Sequence, residues 1–277
     1  MCCTFTASEM SDTRIYAGEA ERNGETVHIL AYQNTAQTNA PNAMVLPIPT
    51  DKTLGADNLI DTRQFKNFLK DITQASESRR RAKFNSRGMT LGAADYSELA
   101  QVLDVGSYTV VLADHVDQIP EALTRVSENK RPAVSKKFLQ GYGKLYPNQP
   151  IAVCCWDGAL EAEPLLMWYV PKDRSTLFIP TMDAHDGNAP HVGEKVNTDH
   201  IISVGAVGPT TGNRVTYNQI IPAEVQDLLP THVYGHRLPV WIENDDCFVK
   251  TADLHQHPKS FPMIRRGDYV DSMDGWS

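Results

Sequence analysis

Seven of the nine histidines fall in the last third of this 277-residue chain, at positions 185, 191, 200, 232, 236, 255 and 257. The densest run is Met182-Asp183-Ala184-His185-Asp186-Gly187, followed by His191 and then Asp199-His200. Carboxylates and neutral imidazoles suit zinc, manganese or iron, and three such ligands with an open position activate water for hydrolysis. One expectation is therefore a metal-dependent hydrolase built on Asp183, His185, Asp186, His191 and His200. The competing expectation is structural: Asp183 and Asp186 make Asx turns in a surface loop rich in Gly187, Asn188 and Pro190. Two further pairs carry metal spacing. His232 and His236 stand four apart, but Pro230 and Gly235 favour a surface turn over a helix. His255 and His257 would share one side of an extended strand.

Cys2 suggests different chemistry. With Met1 removed, its own α-amine, of pKa near ~7.7, would serve as general base for an N-terminal nucleophile, as in amide hydrolases. Cys154 and Cys155 lie within IAVCCW and point to opposite faces of a strand, which favours core packing. The run holding Arg79, Arg80, Arg81 and Lys83 offers guanidinium groups to phosphate or an acidic protein partner. No Walker loop, dinucleotide fingerprint or serine-hydrolase elbow is present.

The elements that would position these groups are predicted from periodicity. Two alternating runs over 14–32 flank Asn23-Gly24, a dipeptide suited to a type I′ hairpin turn. Ile15 and Ala17 are expected to share a buried face with Val27, Ile29 and Ala31. A short strand at 44–47 ends at prolines. A helix is predicted from N-cap Asp61, with Gln64 as capping partner, an Ile60–Phe65 staple and a buried stripe of Phe65, Phe68, Leu69 and Ile72. A polar, basic loop is expected over 73–92. Beyond it come a strand at 108–113, helices at 118–126 and 135–142, and strands at 151–156, 164–170 and 175–180, spaced as hairpins. A strand at 200–207, a short helix in AEVQDLL, a last strand in CFVKTADL and a loose tail from His255 complete the pattern. If the strands at 175–180 and 200–207 pair, the Asp and His groups meet at one sheet end.

Strands in blocks without regular β-α alternation imply an α+β fold, antiparallel sheets with interspersed helices, as one domain over 1–277 with a single compact core. A net charge of −8 makes broad nucleic-acid binding unfavourable. No apolar run reaches the ~18 residues of a membrane helix, and the first twenty residues lack a basic start and an apolar stretch. A cytoplasmic protein with reduced thiols is expected. Met44-Val45-Leu46-Pro47-Ile48-Pro49, Gly106-Ser107-Tyr108-Thr109-Val110-Val111 and Gln149-Pro150-Ile151, after a cysteine-led start, resemble over about residues 2–180 a bacterial family known only as a domain of unknown function. That resemblance implies a fold but no activity, and its members are usually exported. The leading functional expectation is a binding or assembly protein whose partner meets the basic loop or a sheet edge, with the metal-dependent hydrolase and the Cys2 hydrolase as alternatives.

Overall fold

The computed structural model describes residues 3–77, 100–158, 160–206, 212–256 and 261–270. Arg79, Arg80, Arg81 and Lys83 therefore lie outside the described residues, as does Cys2. The chain opens with β1 (Cys3–Thr4), β2 (Glu9–Arg22), β3 (Glu25–Gln37), β4 (Asn42–Pro47) and β5 (Leu59–Ile60), then helix α1 (Phe68–Glu77). Next come β6 (Gln101–Val105), β7 (Tyr108–Ala113), α2 (Ile119–Leu123), α3 (Lys136–Leu145), β8 (Ile151–Trp156), β9 (Leu160–Glu161), β10 (Leu165–Tyr169) and β11 (Thr176–Ile179). Then follow β12 (Lys195–Asn197), β13 (Ile201–Gly205), β14 (Asn213–Arg214), α4 (Ala223–Gln226), β15 (His232–Arg237), β16 (Trp241–Glu243) and β17 (Cys247–Lys250). The last elements are α5 (Thr251–Gln256), β18 (Ile264–Arg265) and α6 (Arg266–Val270).

This is a mixed α+β architecture. A five-stranded antiparallel sheet runs β1-β4-β8-β7-β6, and a larger one runs β14-β15-β13-β2-β3-β10-β5 with β9 also pairing β3. Within the larger sheet β13 lies parallel to β2. β11, β17 and β18 form a third sheet, and β12 pairs with β16. Among the described residues no helix is long and apolar enough to cross a membrane.

The β2–β3 hairpin turns at Asn23 and Gly24, both with positive φ (53° and 77°), as a type I′ turn requires. Its register differs from the expected one. Ile15 faces Tyr32 and Ala17 faces Leu30, so these four share a face, while Val27, Ile29 and Ala31 join Tyr16 and Ala20 on the other. Both faces are buried, so alternation of apolar and polar residues could not reveal which set belongs together.

Several other expectations are corrected. α1 begins at Phe68 and continues to Glu77, past the expected loop start at 73. Asp61 is not its N-cap, because its carboxylate accepts from Arg63 instead. The stripe of Phe65, Phe68, Leu69 and Ile72 is nonetheless fully buried. β8, β10 and β11 are not hairpin partners, since each joins a different sheet. The segment around His232 and His236 is strand β15, not a turn, and four strand steps separate the two by roughly 13 Å. The segment holding His255 is helix α5 rather than extended, and His257 lies outside the described residues. Within the tail expected to be loose, the described residues 261–270 include β18 and α6 and dock through Tyr269, which stacks on Phe248 at 4.1 Å.

Candidate functional site

The strands at 175–180 and 200–207 do not pair. β11 pairs with β17, whereas β13 lies between β2 and β15. Asp183 and His185 nonetheless come together, and His200 lies close enough for the His185 charge to act on its ring. The reason is how the chain continues after β11. The β11–β17 ladder ends at Ile179 opposite Cys247. Pro180 then offers no N–H to extend it.

Side chains take over from the backbone there. Thr181 Oγ1 donates to the Asp245 carbonyl at 2.7 Å, and Met182 N–H donates to Asp246 Oδ1 at 3.0 Å. Asn244 clasps Asp183 on both polar groups, accepting from its N–H and donating to its carbonyl, each at 2.6 Å. On the opposite side β1 docks. Thr4 N–H donates to the Ala184 carbonyl at 3.0 Å and Ser8 N–H to the His185 carbonyl at 2.9 Å. Gly187, at φ 80°, allows the close approach of the next turn, since a Cβ there would sit 2.9 Å from the Phe5 carbonyl oxygen.

This frame holds His185 Nε2 2.6 Å from Asp183 Oδ1, in an ion-pair approach rather than an aligned hydrogen bond. Asp183 is buried and His185 reaches the surface. His200 is buried, and its pKa is pushed well down, by burial first and then by nearby positive charge including that of His185. A carboxylate beside an imidazole can orient a ring for proton transfer or anchor a ligand by hydrogen bonds.

His185 and Asp186 also border a cleft of about 760 Å³. Its other walls are residues 7–9, entering β2, and residues 35–39, leaving β3. The hairpin's open end diverges there, with β1 and β4 joining the five-stranded sheet while β2 and β3 stay in the larger one. Among the described residues the charged groups of the lining are Glu9, Asp186 and, when protonated, His185, with neither lysine nor arginine. Asp186 accepts from the side chain and backbone of Asn188, which hold its carboxyl below the usual range, so the expected Asx turn is formed here.

The other two expected site residues are not part of the Asp183–His185 pair. His191 is exposed beside a turn, with Glu194 N–H donating to its carbonyl, and its charge is the smallest of the causes acting on the Asp186 carboxyl. Asp199 serves the β2 bulge, accepting from the N–H groups of Asp12, which has φ 55°, and Thr13. Among the described residues no three His, Cys, Asp or Glu groups are arranged to hold a metal ion. Cys154 and Cys155 face two different apolar clusters, and burial pushes the Cys155 thiol up to about 12, far from a reactive thiolate. No motif or spacing in the sequence singles out Asn244, Asp245 and Asp246. Their sequence signal, three polar residues directly before the apolar CFV, reads as a turn, and only the missing ladder beside Pro180 gives it meaning.

No family model matches the chain, and no curated protein matches it. Among solved structures, that of baculovirus P35 is similar with a TM-score of 0.44 and 12% identity, covering 91% of this chain and 92% of that one. A mutated baculovirus P35 after caspase cleavage gives a TM-score of 0.40 at 12% identity, covering 86% and 90%. Likenesses at this level assign neither fold nor activity.

Proposed function

We propose that this chain is a binding protein that takes a basic, extended segment of a protein partner into the cleft beside His185 and Asp186. The observation that carries this reading is the charge of the lining, with Glu9 and Asp186 both exposed and no lysine or arginine among the described lining residues to oppose a cation. The net charge of −8 supports it, because a negative overall field raises the encounter rate with basic partners. His185, which lines the cleft, is held from behind by the buried Asp183 and offers the segment a fixed polar contact. Calorimetric titration with an arginine-rich decapeptide tests the reading. Binding should weaken about tenfold, ~1.4 kcal/mol, in the Glu9→Gln, Asp186→Asn double variant, and should weaken with added salt. Equal affinity for a glutamate-rich peptide, or no binding of either, would remove it.

A second reading, an amide hydrolase with Cys2 as nucleophile, draws support from one observation. Cys3, bonded to Cys2 in the chain, pairs with Ala184 between Asp183 and His185. This reading requires a processed amino terminus. Intact-mass measurement showing retained Met1 would sink it, as would amide-cleaving activity that survives Cys2→Ala.

A further inference from the structure

The geometry points to Asn244 and Asp246 as positioning residues that set the Asp183–His185 pair by replacing a strand ladder that Pro180 interrupts. If the β11–β17 register continued, Thr181 would face Asp245 and the next bonds would run backbone to backbone. Instead Asp246 Oδ1 receives the Met182 N–H, and the Asn244 amide takes both the N–H and the carbonyl of Asp183. A primary amide is the one side-chain group that mimics a peptide unit, presenting a donor and an acceptor side by side. Asn244 is 1% exposed and Asp246 0%, so neither is held for contact with solvent.

The anchoring extends through the molecule. The second carboxylate oxygen of Asp246 accepts from the Tyr146 hydroxyl at 2.6 Å, tying this frame to the end of α3. The Arg266 guanidinium lies 5.3 Å over the Tyr146 ring and donates to the Leu145 carbonyl. Arg266 N–H also donates to the Asp246 carbonyl at 3.0 Å. On the other flank Asn244 N–H donates to the Glu194 carbonyl at 2.7 Å, and Gly193 N–H to the Asn244 carbonyl at 2.8 Å. Asn244 is thus fixed by its own backbone before its side chain grips Asp183. The pair spans two residues of one segment, so the Asn244 bonds to the Asp183 backbone set where the Asp183 carboxylate meets the His185 ring.

This role deepens the proposed cleft function, yet its readout does not depend on that reading. The test compares the ring ¹⁵N and ¹H signals of His185 by NMR in wild type, Asn244→Ala, Asp246→Leu and Asp246→Asn, with arginine-peptide affinity measured on each. Asn244→Ala and Asp246→Leu should shift the His185 ring signals and lower affinity about tenfold, while amide signals of the β2–β3 hairpin stay in place. Asp246→Asn should restore the wild-type ring signals, since its carbonyl still accepts from Met182 and its amide can donate to the Tyr146 oxygen. Unchanged His185 signals in Asn244→Ala, with the hairpin intact, would overturn the positioning role. Shifted His185 signals with no peptide binding even by wild type would uphold it and discard the cleft reading. Should Asn244→Ala lose the hairpin signals, the contrast between Asp246→Asn and Asp246→Leu decides: like His185 signals in both would overturn it.

Discussion

Asp246 shows how one buried carboxylate can cost stability and still be retained. It is fully buried, and burial pushes its pKa from 3.8 up to about 6, against the opposing pull of hydrogen bonds from Tyr146 and Met182. The sign follows from proton counting. Between about pH 4 and pH 6 the native state holds a proton that the unfolded chain releases, so stability falls as pH rises through this window and stays lower above it. The shift corresponds to about 3 kcal/mol at neutral pH. Asp246→Asn, which keeps the acceptor for Met182, should therefore be more stable than wild type at pH 8 by up to that amount and no more stable at pH 4. Urea midpoints at the two pH values check this, and an equal difference at both would place the effect outside Asp246 ionisation. His28 runs the other way. Burial holds its pKa down at about 4, so its contribution is lost as pH falls from 6.5. Neither shift was legible in the sequence, since Asp246 sits in what reads as a polar turn and His28 in an apolar run whose burial on both faces only packing decides.

At the scale of elements, local chemistry was most legible where it acts alone. Asn23-Gly24 fixed a hairpin because few residues accept positive φ at two successive positions. A Cβ at Gly24 would meet nothing within 4 Å, so Gly24→Ala isolates the backbone cost of φ 77° from any clash. It should destabilise by about 1 kcal/mol. A lowered urea midpoint at unchanged slope would show it, and an unchanged midpoint would mean the turn relaxes to another type. α3 was similarly legible, with Ser135 accepting from Phe138 N–H as its cap. Elements that depend on a distant partner were not. β15 contains Gly235 and two histidines and is a strand because β13 pairs with it, and Ser76 packs where a Gly235 side chain would go, its Cβ only 2.4 Å from that position. α1 starts late because Asp61 spends its carboxylate on Arg63, while Asn67 N–H finds the Gln219 side chain, far along the chain.

Over the whole molecule, the arrangement of three sheets decides which residues meet. The largest apolar cluster gathers side chains from the five-stranded, the larger and the three-stranded sheets, including Trp156, Tyr32 and Val249. A second lies on the other face of the five-stranded sheet beneath α2 and α3, with Phe138 edge-on to Phe5 at 5.0 Å. β8 separates the two, and so Cys154 and Cys155, expected to face opposite ways, fill different clusters. β1 crosses from the hairpin to the edge of the five-stranded sheet and passes beside 182–186 on the way. The cleft is a product of that crossing. The salt-sensitive attraction for a basic peptide that we propose for it, tested through Glu9 and Asp186, would belong to this global layout and not to any motif.

The sequence by itself determined the α+β class, the turn at Asn23-Gly24, the buried stripe of α1, most strand cores and the packing role of Cys154 and Cys155. Each rests on periodicity or backbone preference within a few residues, where the physical cause lies in the same stretch of chain. It also directed attention to Asp183 and His185. Tertiary structure alone decided that these two pair while Asp199 is drawn off to the β2 bulge, that Asn244 and Asp246 support them, and that residues 7–9 and 35–39 wall the cleft. Those outcomes depend on which strands share a sheet and on how a ladder stopped by Pro180 is completed from more than sixty residues away, and pairing across such distances leaves no local pattern in the residues it joins.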